Sequence, residues 1–178
     1  MRNYFYLMSV LFLGCTSTGT YMKTVDKVDI QKFMGDWYVL AGRFTPLEKN
    51  VHNALESYTW NVEKNRIDIG FTYNKGDFDG KLKSIPQKGW IEDQISKAHW
   101  KVSPLWPFKF DYLIVDLAED YSWTAIGVPS QNYLWIMARD WQDQDSIVAE
   151  AVKRLNAKGY KTTDLILVPH KWPLKEKK

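Results

Sequence analysis

The chain of 178 residues has one cysteine, Cys15, and this scarcity excludes several kinds of site. A disulfide within the chain needs two cysteines, so that framework is excluded. His52, His99 and His170 lie in separate segments without the paired spacing of a zinc site, and the sequence predicts no metal ligands. Neither a Gly-x-Ser-x-Gly elbow nor a phosphate-binding glycine-rich loop is present. We therefore expect no enzymatic activity and no cofactor, although a catalytic triad assembled from distant residues remains an alternative.

Neither basic nor acidic residues are in large excess. The 24 basic and 21 acidic residues give a net charge of +3, and removing a leader that contains Arg2 leaves +2 (23 − 21). A chain so close to neutral gives no reason to expect a nucleic-acid partner. Lys175, Lys177 and Lys178 form one small basic cluster within the predicted tail of residues 171–178. This tail is interpreted as a solvated end, with a weak attraction to anionic lipid headgroups as the alternative.

Long apolar runs are absent except at the N-terminus. After Arg2, residues 4–13 form a mostly apolar run of about ten residues, which is too short to span a bilayer but suits a signal peptide. The run ends at Gly14-Cys15, which resembles the lipobox of bacterial lipoproteins, with Phe12 where the box prefers Leu. We expect a signal peptide over residues 1–14, an acylated Cys15 and a spacer over residues 15–27. A cleaved leader whose cysteine carries no lipid is the alternative.

The residues after Cys15 favour one membrane over the other. Thr16 and Ser17 follow it, without the Asp that marks inner-membrane retention in bacterial lipoproteins. The sequence therefore predicts a lipid-anchored protein of the outer membrane, on the periplasmic side.

Aromatic residues are abundant, with nine Trp, ten Tyr and eight Phe. They favour β structure, and they fit either a packed core or an apolar binding surface. Short aromatic and β-branched runs alternate with turn residues, which predicts an antiparallel meander. Eight such strands hide their edges by closing into a barrel. The predicted strands are residues 37–44, 54–60, 66–73, 80–85, 98–102, 110–117, 122–128 and 133–139, with turn residues at 86–89 among the connections.

One later segment has helical spacing. Asp143 can cap a helix that Gly159 ends, and its apolar stripe predicts packing against the outside of the barrel. Residues 165–168 follow as a short ninth strand. The stripe consists of Ile147, Val148, Ala151, Val152 and Leu155.

Three motifs, in order across residues 28–168, resemble the signatures of the lipocalin family. The first is Gly35-x-Trp37 after a short helical turn, the second is the Asp120-Tyr121 turn, and the third is the run over residues 133–139 that ends in Arg139. Residues 105–108 are also similar to the Gly-Pro-Phe turn of the bacterial branch, with Trp106 in place of Gly. The resemblance to outer-membrane lipoprotein lipocalins, and more distantly to apolipoprotein D, implies a barrel domain over residues 28–170.

This resemblance implies an eight-stranded up-and-down calyx, closed at one end, with the C-terminal helix packed outside. It also implies a fatty-acid, lysophospholipid or phospholipid ligand and a role in lipid storage or transport at the cell envelope. Family members stack the guanidinium at the position of Arg139 on the indole at that of Trp37. We therefore expect both residues to close the floor without touching ligand.

Ligand contacts are expected from strand positions on the same face as Trp37, because alternate residues of a strand point to the same side. Trp135 is the first candidate for a binding residue. Glu56 is expected at the rim in bulk water, or alternatively holding a headgroup amine. The proposed ligand contacts are Val39, Glu56, Tyr58, Tyr112, Ile114, Tyr133, Trp135 and Met137. Ala41, Ala54, Trp60 and Asp116 are also predicted to point inward, but they are not proposed as ligand contacts.

Two non-enzymatic functions remain open at this point. The barrel is either a carrier of a diffusible lipid or a scaffold whose interior is filled by its own side chains. Large residues such as Tyr58, Trp60 and Trp135 could meet across a small barrel and favour the scaffold.

Overall fold

A computed structural model describes residues 22–48 and 50–173 of the chain. The predicted signal peptide, Cys15 and the lysines of the tail lie outside the described residues. Of the elements described, no helix combines the length and the apolar character needed to cross a membrane.

The strands form one closed antiparallel barrel, which confirms the predicted fold. The sheet order is β2-β3-β4-β5-β6-β7-β8-β1-β9, and β1 also pairs with β2, so the barrel closes between the first two strands. The predicted ninth strand is present and extends the sheet beside β1. The strands are β1 Gly35–Arg43, β2 Val51–Asn61, β3 Arg66–Lys75, β4 Leu82–Ile91, β5 His99–Leu105, β6 Phe108–Leu117, β7 Trp123–Gly127, β8 Leu134–Ala138 and β9 Ile166–Leu167.

The fourth strand is longer than predicted and runs through the expected turn at residues 86–89. Pro86 has no backbone N–H to donate, and Gly89 has no side chain to pack, so both residues indicated a turn. In the structure Pro86 lies opposite Gly70 of β3, whereas β5 pairs only with residues 88–91 of β4. The missing donor is tolerated because that part of the strand is paired on one side only.

A short helix, α1 (Ile30–Phe33), precedes β1 and closes one end of the barrel. Asp29 caps it, since its Oδ1 accepts hydrogen bonds from the amides of Gln31 (3.0 Å) and Lys32 (3.3 Å). Ile30 and Phe33 are buried beneath the barrel. We call this the closed end of the barrel. The opposite end, which carries the β3–β4 and β5–β6 connections, is called the open end or mouth.

The second helix, α2 (Gln144–Ala157), packs on the outside of the barrel as expected, with Ala151 and Leu155 fully buried. Asp143 occupies the N-cap position, but its side chain makes no capping hydrogen bond. Asp116 of β6 fixes the helix, because Arg154 donates to its two oxygens at 2.5 and 3.0 Å. The barrel therefore has an inner hydrophobic cluster within the strands and an outer one beneath α2.

The segments that precede and follow the predicted barrel domain also contact the barrel. Met22 is buried in the outer cluster, and the amide of Val25 donates to the carbonyl of Ile114 (2.9 Å). At the other terminus, the amide of Lys171 donates to the side-chain oxygen of Asn53 (2.7 Å). Residues 22–27 and 171–173, assigned from sequence to a spacer and a tail, thus lie against the barrel.

Candidate functional site

The floor of the barrel is a stack of buried aromatic rings. The ring centroid of Phe33 lies 5.0 Å from that of Trp37 and 5.2 Å from that of Trp100. All three side chains have no accessible surface, and the Trp37 indole N–H donates to the carbonyl of Phe33 (2.8 Å). This end of the interior is therefore filled by side chains and has no room for a ligand.

Arg139 holds the floor from below. Its Cζ lies 3.7 Å from the centroid of the Trp37 ring, and its guanidinium donates to the carbonyls of Lys32 (2.7 Å), Met34 (2.9 Å) and Asp36 (2.7 Å). It thus satisfies carbonyls at the end of α1 that have no partner within the helix. Gly35 has a φ of +95°, and an added Cβ would lie 3.3 Å from the guanidinium, so glycine suits this position.

The turn at residues 118–122 closes the same end. The phenol oxygen of Tyr121 accepts a hydrogen bond from the amide of Asp29 (2.8 Å), which joins this turn to α1. Asp120 accepts from the amide of Ser122 (3.0 Å) and thereby fixes the turn itself. All five signature residues therefore lie at the closed end of the barrel.

A polar cluster lies directly above the floor. The Tyr58 hydroxyl donates to the carboxyl group of Glu56, and the oxygens of Tyr58 and Tyr112 are 2.6 Å apart. Because the single proton of Tyr58 is directed to Glu56, Tyr112 is the donor to Tyr58. The ring of Tyr112 stacks on Trp100, with centroids 5.3 Å apart. The cluster thus joins strands β2 and β6 across the interior.

Glu56 is buried, with 8% of its surface exposed, so its expected position at the rim is wrong. It lies opposite Trp37 in the β1–β2 pairing, and this register carries it down to the floor. Burial raises its pKa to about 7, opposed by the Tyr58 hydrogen bond and supported by the charge of Glu48. Burial also raises the pKa of Tyr58 and of Tyr112 well above 10, so both phenols stay protonated.

A second carboxylate, Glu48, positions the upper wall. It ends the short 3-10 helix Pro46–Glu48 and accepts hydrogen bonds from the amide (3.0 Å) and the hydroxyl (2.7 Å) of Thr45, as in a capping box. Its other oxygen accepts from the indole N–H of Trp135 (3.0 Å). Trp135 is therefore held in one orientation at the wall, with Tyr133, just before β8, 6.1 Å away between ring centroids.

The predicted ligand contacts divide by depth. Val39, Ile114 and Met137 face the interior but have at most 1% exposed surface, so other side chains cover them. Tyr112, Trp135 and Tyr133 are only half-buried and offer accessible surface nearer the open end. The interior is thus packed at the bottom, whereas these three aromatic side chains keep part of their surface exposed.

Two predicted inward residues face outward, because a β-bulge shifts the alternation. The pairing slips between Val39 and Ala41 of β1, and Ala41 packs in the outer cluster. It slips again between Ile114 and Asp116 of β6, so Asp116 faces α2. The expectation for both residues is wrong, since a bulge adds a residue and sends the side chains that follow it to the opposite face.

Sequence reasoning missed the residues that line the mouth. Phe108 and Phe110 lie on the same face of β6 as Tyr112 and continue its wall to the open end. Ile85 of β4, opposite the buried Phe71, also packs against the inner cluster. The alternation of β6 could have revealed both phenylalanines, but the first was assigned to a turn and the second was not followed along the strand.

A groove of about 520 Å³ lies on the outer surface of β2–β5 and is separate from this site. Its lining includes Ser57, Arg66 and Lys88, which point away from the inner cluster. Among the described residues, no three His, Cys, Asp or Glu side chains converge to form a metal site. The interior, by contrast, has aromatic rings that can hold an apolar chain and hydroxyl groups at its base that can form hydrogen bonds.

Comparisons with known proteins agree with this geometry. A lipocalin-like domain family matches residues 28–170. The chain is 26% identical over 166 residues to outer membrane lipoprotein Blc of Vibrio cholerae, covering 91% of this chain and 94% of that protein. It is 27% identical to temperature-induced lipocalin-1 of Arabidopsis thaliana, covering 85% and 82%.

Solved structures show the same fold at low sequence identity. Lobster apocrustacyanin A1 superposes with a TM-score of 0.62 at 17% identity, covering 80% of this chain and 79% of that one. Insecticyanin of the tobacco hornworm Manduca sexta superposes with a TM-score of 0.61 at 12% identity, covering 87% and 85%. With its closed barrel, its aromatic floor and a family match over most of its length, the chain belongs to the lipocalin-like family.

Proposed function

We propose that the barrel binds one molecule of a fatty acid, lysophospholipid or phospholipid at a bacterial cell envelope, and stores or carries it without chemical change. Lipocalins generally bind small hydrophobic ligands, and the similar Vibrio cholerae protein is an outer membrane lipoprotein. The proposal extends both properties to this chain and adds the ligand class and the place where it binds.

The observation that carries this proposal is the apolar path from the open end to the polar cluster. Phe108, Phe110 and Tyr112 follow one another on the inner face of β6, and the Tyr112 hydroxyl belongs to the cluster with Tyr58 and Glu56. An acyl chain gains by contact with the aromatic rings, whereas a buried polar group needs hydrogen-bond partners. A path with apolar walls and a polar base therefore suits a molecule with one chain and one polar group.

The packed lower half supports a second candidate function. Phe33, Trp37, Tyr58 and Trp100 leave at most 2% of their surfaces exposed, so the barrel fills its own base. If side chains also fill the upper half in solution, the protein is an envelope scaffold without a diffusible ligand. The two candidates differ in one measurable property, which is the occupancy of the interior.

Titration of the purified full chain with a long-chain lysophospholipid and with a fatty acid separates the candidates. We expect tryptophan emission to shift on binding, because Trp135 lies on the accessible wall. Trp135→Phe should remove most of this change. Trp141→Phe is the matched control, since Trp141 packs in the outer cluster, and it should retain the change.

A chain that gives no response to either lipid, and from which mass spectrometry recovers no lipid after gentle purification, would support the scaffold instead. Mass spectrometry also tests the absence of chemistry: a lipid incubated with the protein should be recovered unchanged. Recovery of a hydrolysed or isomerised lipid would identify an enzyme.

The envelope location rests on Cys15, which lies outside the described residues. We propose that Cys15 is acylated and that the acyl chains anchor the protein in the outer membrane. Labelling growing cells with a radioactive fatty acid should label the protein, and Cys15→Ser should abolish the label. Label that survives in the Cys15→Ser chain would contradict the anchor.

A further inference from the structure

The β5–β6 hairpin carries four large apolar side chains in solvent within six residues. The exposed fractions are 69% for Leu105, 67% for Trp106, 60% for Phe108 and 56% for Phe110. Single exposed apolar residues are ordinary on soluble proteins, but a contiguous group marks a surface that contacts something else. This group, residues 105, 106, 108 and 110, is called the apolar tip below.

The apolar tip lies at the open end of the barrel. From Phe108, strand β6 runs down to Leu117 at the closed end, and Phe108 and Phe110 face inward on it. They form a lip above Tyr112, whereas Leu105 and Trp106 extend the hairpin beyond the mouth. Leu82, at the start of β4, adds another apolar side chain at the same end, 64% exposed.

The described part of the closed end has no such surface. Its large exposed apolar side chains, among the residues that the structure describes, are the isolated Val62 and Ile95 in two different turns, beside the acidic residues Glu63 and Asp93. The two ends of the barrel therefore differ in polarity, and one of them is suited to an apolar environment.

The N-terminal chain approaches from the open end. Val28 donates to the carbonyl of Ser96 at the closed end, Val25 is bonded to Ile114 halfway up, and Met22 packs beside Gly127, the last residue of β7. The 21 preceding residues, with their apolar run and Cys15, thus join the described structure near the mouth. A membrane attachment in that segment would bring the mouth, rather than the floor, towards the bilayer.

We propose that the apolar tip inserts into the interface of a lipid bilayer and holds the mouth of the barrel against it. In the interface of a bilayer, Trp and Phe side chains bury apolar surface while the indole N–H of Trp stays near water. Around the mouth, the described residues Lys75, Lys81, Lys83 and Lys109 are opposed by Glu48, Asp77 and Asp79, and the guanidinium of Arg43 is bonded to backbone carbonyls. With charges so nearly balanced, apolar insertion rather than attraction to anionic lipid supplies the binding. This inference does not depend on ligand binding in the interior.

A local label tests the insertion independently of the tether. Because Cys15 is the only cysteine, the full chain carrying Cys15→Ser accepts one new cysteine, labelled with a polarity-sensitive fluorophore. Leu105→Cys reports the apolar tip, and Ile95→Cys is the matched control at the closed end. With phosphatidylcholine vesicles we expect the label at 105 to shift to the blue and to become several-fold less accessible to aqueous iodide. The label at 95 should stay in water.

Adding Trp106→Ser to the Leu105→Cys chain should move its label back towards water, because the exposed indole supplies apolar surface to the insertion and Trp106 lies outside the inner wall of β6. A label at 105 that stays as accessible as the label at 95 would overturn the proposal. Protection of the label at 105 without vesicles would also overturn it, since the tip would then contact another protein copy. Fluorescence titration of a lysophospholipid in the same chains separates failure of insertion from failure of ligand binding.

Discussion

Glu56 provides the sharpest test of the interior, because its environment makes a stability prediction with a definite sign. Burial raises its pKa from 4.5 to about 7, with the Tyr58 hydrogen bond and the charge of Glu48 as smaller causes. At about 1.4 kcal/mol per pH unit, this difference corresponds to about 3 kcal/mol. The barrel is less stable by about this amount when Glu56 is ionised than when it is neutral.

The sign follows from proton linkage. Between pH 4.5 and about 7 the folded chain binds a proton at Glu56 that the unfolded chain has released, so the free energy of unfolding falls as the pH rises. The penalty is absent at lower pH and complete at higher pH. Replacing the carboxyl group by a neutral amide in Glu56→Gln removes this dependence while keeping the shape of the side chain.

Urea denaturation of the two full chains at a series of pH values measures the effect. The free energy of unfolding of Glu56→Gln minus that of the parent should increase by about 3 kcal/mol between pH 4.5 and pH 8. His170, whose pKa burial lowers, titrates in both chains and cancels in the difference.

Glu56→Ala serves as the second variant. It should lower stability at every pH by leaving a cavity, yet its difference from the parent should change with pH as that of Glu56→Gln does. If the difference in free energy of unfolding between either variant and the parent is independent of pH, Glu56 is not a buried carboxyl group with a raised pKa.

Three further outcomes are expected. In a fluorescence titration, the affinity for a fatty acid should rise about tenfold from pH 8 to pH 6, because only the neutral Glu56 tolerates the ligand carboxylate. In Glu56→Gln the affinity should no longer depend on pH over this range. Arg139→Lys should lower the free energy of unfolding by about 1–3 kcal/mol, because Lys cannot stack as a plane on Trp37; unchanged stability in urea would contradict the role of Arg139. Asp116→Asn should lower the free energy of unfolding by about 2–4 kcal/mol in the same assay, because it removes the charged partner of Arg154. The loss should be near the lower value if solvent at the partly exposed Arg154 screens the pair. Unchanged stability would mean that this pair does not hold α2.

The fold was accessible from sequence because local signals and global architecture agree. Alternating apolar residues, turn residues and the motifs at Gly35-x-Trp37 and Arg139 all indicate one barrel, and the structure has it. Strand ends were less accessible, as β4 shows: Pro86 and Gly89 have turn chemistry but lie inside a strand whose partner on one side is missing.

The candidate site was accessible only in part. The alternation of β2 correctly put Glu56 and Tyr58 on one face, and that of β8 put Trp135 on the inner wall. Depth was not accessible, because it depends on which residue of β1 lies opposite Glu56, and alternation carries no information about this pairing.

The sequence by itself determined that the strands close into a barrel and which face of the first, second, sixth and eighth strands mostly points inward, and its resemblance to a family implied the stack of Arg139 on Trp37. Tertiary structure alone decided the rest. Bulges after Val39 and Ile114 turn Ala41 and Asp116 to the outside, since each inserts one residue into the pairing of two strands. The β1–β2 register buries Glu56 beside two phenols, and its raised pKa follows from that burial, which no local pattern encodes.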